Sequence, residues 1–317
     1  MTESNFQTEH LAVIGLGLMG GSMAMALRDR AETITGMDLD PAGRAYALKN
    51  GIVDHATDDL YDAVSEADTV ILAAPVRIIA EMLNRRIGSY LRSNTLLIDL
   101  GSTKHDICEA MGKLPVGINA IGGHPMTGKE HSGIEAADAD LYINAPFVLC
   151  PTRRTTPATR VRALDFIRAL QANPIEMQAE RHDKIVAGIS HLPYILSACM
   201  VATVSKEAQK DDAFWELAAG GFRDTSRLAA SDIRMMGDIM STNTRAIATL
   251  LAQFRVQLAT LETMLISGDH EHLIESLLPV REARLHWAET YEQKRHNGQT
   301  HSQAGQVTVR DGHSTGG

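Results

Sequence analysis

Residues 11–20 read LAVIGLGLMG: an apolar run ends in Gly15-Leu16-Gly17-Leu18-Met19-Gly20, and Met, Ala and Leu then dominate the segment from Met19 to Arg30. No other feature constrains the fold as much. In such a turn between strand and helix, the first glycine permits the sharp bend. The second lets the backbone approach a pyrophosphate, and the third lets helix and strand pack closely. The helix then offers phosphates its free N–H groups and positive dipole end. Asp38 ends a second β-type run, TITGMD (33–38), 18 residues beyond Gly20. A carboxylate there accepts hydrogen bonds from ribose hydroxyls. Together these features predict a dinucleotide bound by Gly15, Leu16, Gly17, Leu18, Met19, Gly20 and Asp38. Because Asp38 repels a 2′-phosphate, NAD is expected rather than NADP. Arg44, on the helix opening at Pro41, reads as a solvated charge.

The apolar runs TVILAAP (69–75), TLLIDLG (95–101) and INAIGG (118–123) follow, and FVLC (147–150) and NPIEMQ (173–178) flank a helix over 156–171. Near-continuous apolarity suits strands covered on both faces. Strand–helix alternation predicts an α/β fold with a doubly wound, mainly parallel Rossmann-type sheet. After about residue 180 β-type runs vanish. Segments 181–209 and 232–267 have helical spacing, as in Leu250, Leu251, Phe254, Leu258, Leu261 and Leu265, and a further helix begins near Leu273. At 317 residues the chain exceeds what one core of about 250–300 residues fills. The expected organisation is a dinucleotide domain over 1–179, an all-helical domain over 180–295 with apolar faces for a second copy of the chain, and a disordered polar tail over 296–317.

With 39 acidic and 30 basic residues the formal charge is -9, which argues against nucleic acid as a partner. Cys108, Cys150 and Cys199 form no CxxC and read as reduced thiols of a cytoplasmic protein. The first ten residues show no secretory pattern, and no unbroken apolar run reaches the about 18–20 residues that span a bilayer, so no membrane is expected. No His, Asp or Glu cluster has zinc spacing, and no metal is expected.

Ligands of a doubly wound sheet bind at the carboxyl ends of its strands. Ala74-Pro75-Val76 should line the adenosine side there. Asp99-Leu100-Gly101-Ser102-Thr103-Lys104 and Gly122-Gly123-His124-Pro125-Met126-Thr127-Gly128-Lys129-Glu130 end two further strands. His124, between two glycines and a proline, reads as a functional histidine on a tight loop. In the helical half, His191 and Tyr194 are three apart and share a helix face, downstream of His182 and Asp183.

Taken together, GLGLMGGS, the Asp-Leu-Gly-Ser-x-Lys turn, GGHPMxGxExSG (122–133), SHLPY (190–194) and GGFRDTSRLAxSD (220–232) resemble the prephenate/arogenate dehydrogenase family of tyrosine biosynthesis over roughly residues 10–290. The resemblance implies NAD-dependent oxidative decarboxylation of prephenate or arogenate by a homodimer whose helical domain dimerises. It implies that His124 draws the proton from the substrate's ring hydroxyl. Ser102, followed by Thr103, should contact the same hydroxyl and the nicotinamide. An imidazole, with an unperturbed pKa of about 6.5, suits that proton transfer. The GGFRDTSR segment brings Gly220 and Arg223 to the substrate. Its Arg227 corresponds to the family's substrate-carboxylate arginine, a guanidinium being suited to two parallel bonds. Arg223 falls one helical turn before Arg227, positioned to pair with Glu130 or substrate. Some relatives carry histidine where Tyr194 stands; Tyr194, with His191 among the expected substrate contacts, can still donate a hydrogen bond to the substrate side chain but does not titrate near neutrality. Two competing readings exist: a β-hydroxyacid dehydrogenase using Lys184 or Lys206, and a non-catalytic NAD-sensing protein. GGHPM is foreign to the first, and the presence of both Ser102 and His124 argues against the second.

Overall fold

The computed structural model describes residues 4–129 and 131–304. The glycine turn joins β1 (Thr8–Ile14) to α1 (Leu18–Ala26), which ends one turn earlier than its composition suggests and passes through a 3₁₀ turn into β2 (Ala31–Met37). Pro41 then opens α2 (Pro41–Lys49), where the Asp40 carboxylate accepts from the Ala42 and Gly43 amides. β3 (His55–Thr57), α3 (Leu60–Val64), β4 (Thr69–Leu72), α4 (Val76–Arg85), α5 (Ile87–Tyr90), β5 (Leu96–Asp99), α6 (His105–Met111) and β6 (Asn119–Pro125) follow in order. β7 (Pro146–Pro151), α7 (Pro157–Ala169) and β8 (Asn173–Glu176) close the mixed part of the chain. β3 escapes sequence reading because three residues are too few to show a period.

The strands form one sheet in the order β3-β2-β1-β4-β5-β6-β7-β8, parallel except where β6 meets β7. Alternate strand residues feed cores on opposite faces. Leu11, Val13, Ile71 and Ile98 enter one cluster, and Ala12, Ile14, Val70, Leu72 and Leu97 the other. This two-sided burial explains the unbroken apolar runs. Strand order reverses direction between β1 and β4, the point where such sheets open a ligand crevice.

From α8 (Ala179–Val186) onward the described chain is helical. A π-helical turn, Ala187–His191, leads into α9 (Leu192–Ala208), followed by α10 (Ala213–Glu216) and α11 (Gly220–Ser226). The 3₁₀ turn Arg227–Ala230 comes next, then α12 (Ile233–Thr242), α13 (Thr244–Ser267) and α14 (His270–Ala304). The segment 232–267, read as helical from its spacing, holds two helices, broken at Asn243. Stretch Ala179–Ala208 holds an 18-residue window of mean hydropathy 1.7, long and apolar enough to cross a membrane by length and composition, with 22% of it buried. The sequence expectation missed this window because Ser190, His191 and Ser197 interrupt the apolar residues without lowering the average enough. The expected tail also needs correction. α14 continues to Ala304 through a stretch with one glycine and several good helix formers, among them Glu292, Gln293 and Lys294. Residues 305–317 lie outside the described residues.

The chain gathers into two compact units, Met1–Leu251 and Ala252–Gly317. The first contains the sheet, its covering helices and every described candidate site residue. The second consists of the rest of α13 and α14, and there Val256, Leu265, Ile266, Ile274 and Val280 are exposed.

Candidate active site

The first and third glycines of the turn, Gly15 and Gly20, are each required sterically. Gly15 has φ +100°, and a Cβ on it would lie 2.6 Å from the Ala73 carbonyl oxygen. A Cβ on Gly20 would lie 1.8 Å from the Gly15 carbonyl oxygen, so helix and strand could not close. At Gly17 a Cβ would meet nothing within 4 Å. That residue caps α1 without a side-chain bond, and no acidic residue occupies the first turn. The result is an open cradle at a positive helix end, which fits a pyrophosphate. Leu16 is a core residue under Gly36, and Met19 gives its carbonyl to the Tyr142 hydroxyl at 2.6 Å. Leu18 is half-buried.

Asp38 stands beside this cradle, its Oδ2 accepting from the Leu16 amide at 2.7 Å and its Oδ1 from the Asp40 amide at 2.9 Å. These bonds fix a carboxylate at the carboxyl end of β2, where the adenosine ribose is expected. Arg44 is not a solvated charge: it donates to the Asp38 carbonyl at 2.7 Å and pairs with Asp58 at 3.0 Å. At the end of β4, Ala74 is half-buried and Pro75 exposed at the head of α4. The Val76 side chain turns into the core, which leaves only its backbone at the edge.

His124 occupies β6 itself rather than a loop. Parallel pairing with β5 stops at Ile121, but antiparallel pairing with β7 continues through His124↔Val148 and Pro125↔Phe147. The imidazole is thereby held on a strand beyond the carboxyl end of β5. The glycines before it are needed for packing. A Cβ on Gly122 would meet Cys108 Sγ at 2.6 Å, and one on Gly123 the Asp99 carbonyl oxygen at 2.5 Å. Buried Asp99 accepts from the Gly123 amide at 2.9 Å and the Gly101 amide at 2.8 Å, and forms an ion pair with fully buried Lys104. Lys104 Nζ also donates to the Gly123 carbonyl at 2.6 Å, so one buried pair ties the Ser102 turn to the His124 strand. Ser102 is half-buried at the head of that turn. Thr103 is buried, its hydroxyl 2.8 Å from that of Thr242.

Behind His124 stands a chain of polar groups. His124 Nδ1 lies 2.8 Å from His182 Nε2, and His182 Nδ1 lies 2.8 Å from Asp183 Oδ1. Asp183 also accepts from the Lys104 amide at 2.7 Å and the His105 amide at 2.9 Å. Desolvation holds His124 well below the ordinary imidazole value, and His182, Lys104 and His191 push in the same direction. Burial raises the Asp183 pKa, but bonds from His182 and the His105 and Lys104 amides outweigh it and bring the carboxyl below its ordinary value.

His191 is buried, its Nδ1 3.3 Å from Asn243 Nδ2, and that amide also donates to the Asp183 carbonyl at 2.7 Å. Burial brings His191 down to about 4, against the pull of Asp183. Tyr194 is half-buried in the first turn of α9. Gly220 opens α11, and Arg227 is exposed at the start of the 3₁₀ turn, which is tied to α9 by the Ala229 amide donating to Ser197 Oγ at 2.9 Å. Arg223 is exposed and pairs with Asp224 at 2.9 Å, its adjacent residue. Glu130 lies outside the described residues. Sequence reading left His182, Asp183 and Asn243 without roles. His-Asp is a visible dipeptide, but its place behind His124 depends on two elements 58 residues apart. Nothing local marks Asn243. Among the described residues there is no group of three or more metal-binding side chains.

The sequence family described as "Prephenate dehydrogenase, nucleotide-binding domain" matches residues 23–175, and "Prephenate dehydrogenase, dimerization domain" matches residues 178–278. A prephenate dehydrogenase of Bacillus subtilis (strain 168) is 31% identical over 283 residues, covering 88% of this chain and 76% of the relative. A cyclohexadienyl dehydrogenase of Zymomonas mobilis is 33% identical over 283 residues, covering 87% and 95% respectively. Among solved structures, the A. aeolicus prephenate dehydrogenase in complex with hydroxyphenyl propionate and NAD+ superposes with a TM-score of 0.81 at 27% identity, covering 89% of this chain and 99% of that one. With family models matching residues 23–175 and 178–278 and relatives 31–33% identical over most of its length, this chain belongs to the prephenate dehydrogenase family.

Proposed function

We propose that the protein catalyses the NAD-dependent oxidative decarboxylation of prephenate to 4-hydroxyphenylpyruvate in tyrosine biosynthesis. The observation that carries this reading is His124: its Nδ1 faces His182 at 2.8 Å, and no described residue bonds its Nε2. A neutral imidazole in that state is ready to take a hydroxyl proton. Gly17 and Asp38 would hold NAD+, which would supply the hydride acceptor. As the hydride leaves the ring carbon, the hydroxyl proton passes to His124 Nε2 and Ser102 steadies the oxygen. The bond to the ring carboxylate then breaks, its electron pair entering the ring as CO2 departs. Aromatisation drives that step, and His124 returns the proton to the phenolate oxygen. No net proton is consumed.

Arg227 is assigned to a substrate carboxylate, with Gly220, Arg223, His191, Tyr194 and Glu130 around the rest of the molecule. The working division is a dinucleotide half over 1–179 and a substrate and dimerisation half from 180. The apolar face of α9 and the exposed apolar residues of α14 are covered by a second copy in a cytoplasmic homodimer. The match of residues 178–278 to a dimerisation domain supports this over a lipid covering for the same helices. A second reading, arogenate as substrate, is favoured by the Zymomonas relative, whose name specifies the cyclohexadienyl ring rather than one side chain. Comparing kcat/KM on prephenate and on arogenate with NAD+ tests both. Activity on neither overturns the proposal, and a preference for arogenate selects the second reading.

A further inference from the structure

We infer that His182 and Asp183 act as positioning residues that fix the tautomer of His124. The inference rests on the reading of His124 as the proton acceptor. Three side chains lie in a row: Asp183 Oδ1 to His182 Nδ1 at 2.8 Å, and His182 Nε2 to His124 Nδ1 at 2.8 Å. His182 and Asp183 are both buried, so water does not substitute for either partner.

For two uncharged rings behind an ionised carboxylate, this row admits one arrangement of hydrogens. A carboxylate only accepts, so His182 carries its hydrogen on Nδ1. Its Nε2 is then an acceptor, and His124 must carry its hydrogen on Nδ1. The lone pair of His124 is left on Nε2, the atom that faces no described partner. Which nitrogen bears the proton is set by the bond the other nitrogen makes. Asp183 is itself anchored by the Lys104 and His105 amides at 2.7 and 2.9 Å. The turn that carries Ser102 and the histidine that attacks the hydroxyl are therefore registered to one carboxylate.

The arrangement also acts after proton transfer. When His124 gains a hydrogen on Nε2, its positive charge faces His182 and, behind it, Asp183. The other charged and titratable groups that bear on the ring are Lys104, already paired with Asp99, and His191. Among the described residues, Asp183 is thus the anion aligned with the nascent imidazolium. The proton need not travel along the row, since it returns from Nε2 to the product oxygen.

Three variants test this. His182→Leu removes the acceptor, and kcat should fall by about 10²-fold or more, as for a general base in the wrong tautomer. KM for prephenate and affinity for NAD+ should stay within about twofold. His182→Gln restores an acceptor oxygen to the His124 Nδ1–H and should recover at least about tenfold of that loss. Asp183→Asn presents an amide N–H to His182, reverses the row, and should lower kcat in the same way. Nitrogen-15 NMR of histidine-labelled protein reads the tautomer directly. Wild-type His124 should be protonated on Nδ1, and His182→Leu should shift it to Nε2. A wild-type His124 protonated on Nε2, or a His182→Leu enzyme with kcat within about threefold of wild type, overturns the inference. His124→Asn separates the two ideas: normal turnover in that variant sinks the proton-acceptor reading itself, whatever the NMR shows.

Discussion

At the scale of single residues, burial at the sheet edge decides the chemistry. Because desolvation lowers His124, it stays neutral well into acid, and the acid limb of kcat/KM should lie below about 6.5, the value an unperturbed imidazole gives. A limb at 6.5 or above in steady-state kinetics contradicts this. The same shift affects stability. Between their folded pKa values and about 6.5, His124 and His191 bind more protons unfolded than folded, so stability falls as pH drops from 7 through 6.5 towards about 4. Urea midpoints at pH 7.5 and pH 5 check the sign. Arg227→Ala should raise KM for prephenate by about tenfold or more, since a hydrogen bond to a charged group contributes about 1.5–3 kcal/mol. KM for NAD+ should change little, and an unchanged prephenate KM places the carboxylate site elsewhere. At this scale the sequence singles out His124, Ser102 and Arg227 as candidates because each lies in a dense motif. His182, Asp183 and Asn243 are not singled out, because their roles arise only when α8 and the α12–α13 break pack behind β6.

At the scale of elements, the strand–glycine–helix unit is readable almost to the residue, since Gly15 and Gly20 answer local steric demands. Gly17 offers the clean test. An alanine there meets no atom within 4 Å, so the melting temperature of the cofactor-free protein should stay within about 2–4 °C of wild type. NAD+ affinity should nevertheless fall about tenfold or more, the equivalent of about 1.4 kcal/mol. Unaltered NAD+ binding in Gly17→Ala by calorimetry argues against pyrophosphate contact at that point. Asp38→Ala should weaken NAD+ and narrow its advantage over NADP+; Arg44, anchored to Asp58 and the Asp38 carbonyl, remains nearby to meet a 2′-phosphate. The strand assignment of His124 is hidden, because antiparallel pairing to β7 is a contact between segments and leaves no periodic mark on GGHP. The helix break at Asn243 is hidden for a related reason: its side chain serves Asp183 and His191 instead of signalling a local stop.

At the scale of the whole molecule, the division into a mixed half and a helical half is plain from where β-type runs end. The compact units instead part at Leu251, since the first turns of α13 belong with the sheet-bearing unit: Ile247 is buried, and Leu250 stands against Gly188. Light scattering at micromolar concentration should give twice the chain's 34.4 kDa, apolar helix faces of this kind being typical of an obligate interface. A fully active monomer contradicts it. The products of the proposed reaction distinguish it from simple alcohol oxidation. The most direct test is the yield of NADH and CO2 from prephenate and NAD+, measured together for wild type and His124→Asn. Wild type should release one CO2 per NADH. His124→Asn should bind NAD+ normally and form both products at the same ratio but about 10²–10⁴-fold more slowly. NADH without matching CO2, or undiminished turnover in the variant, would contradict the account.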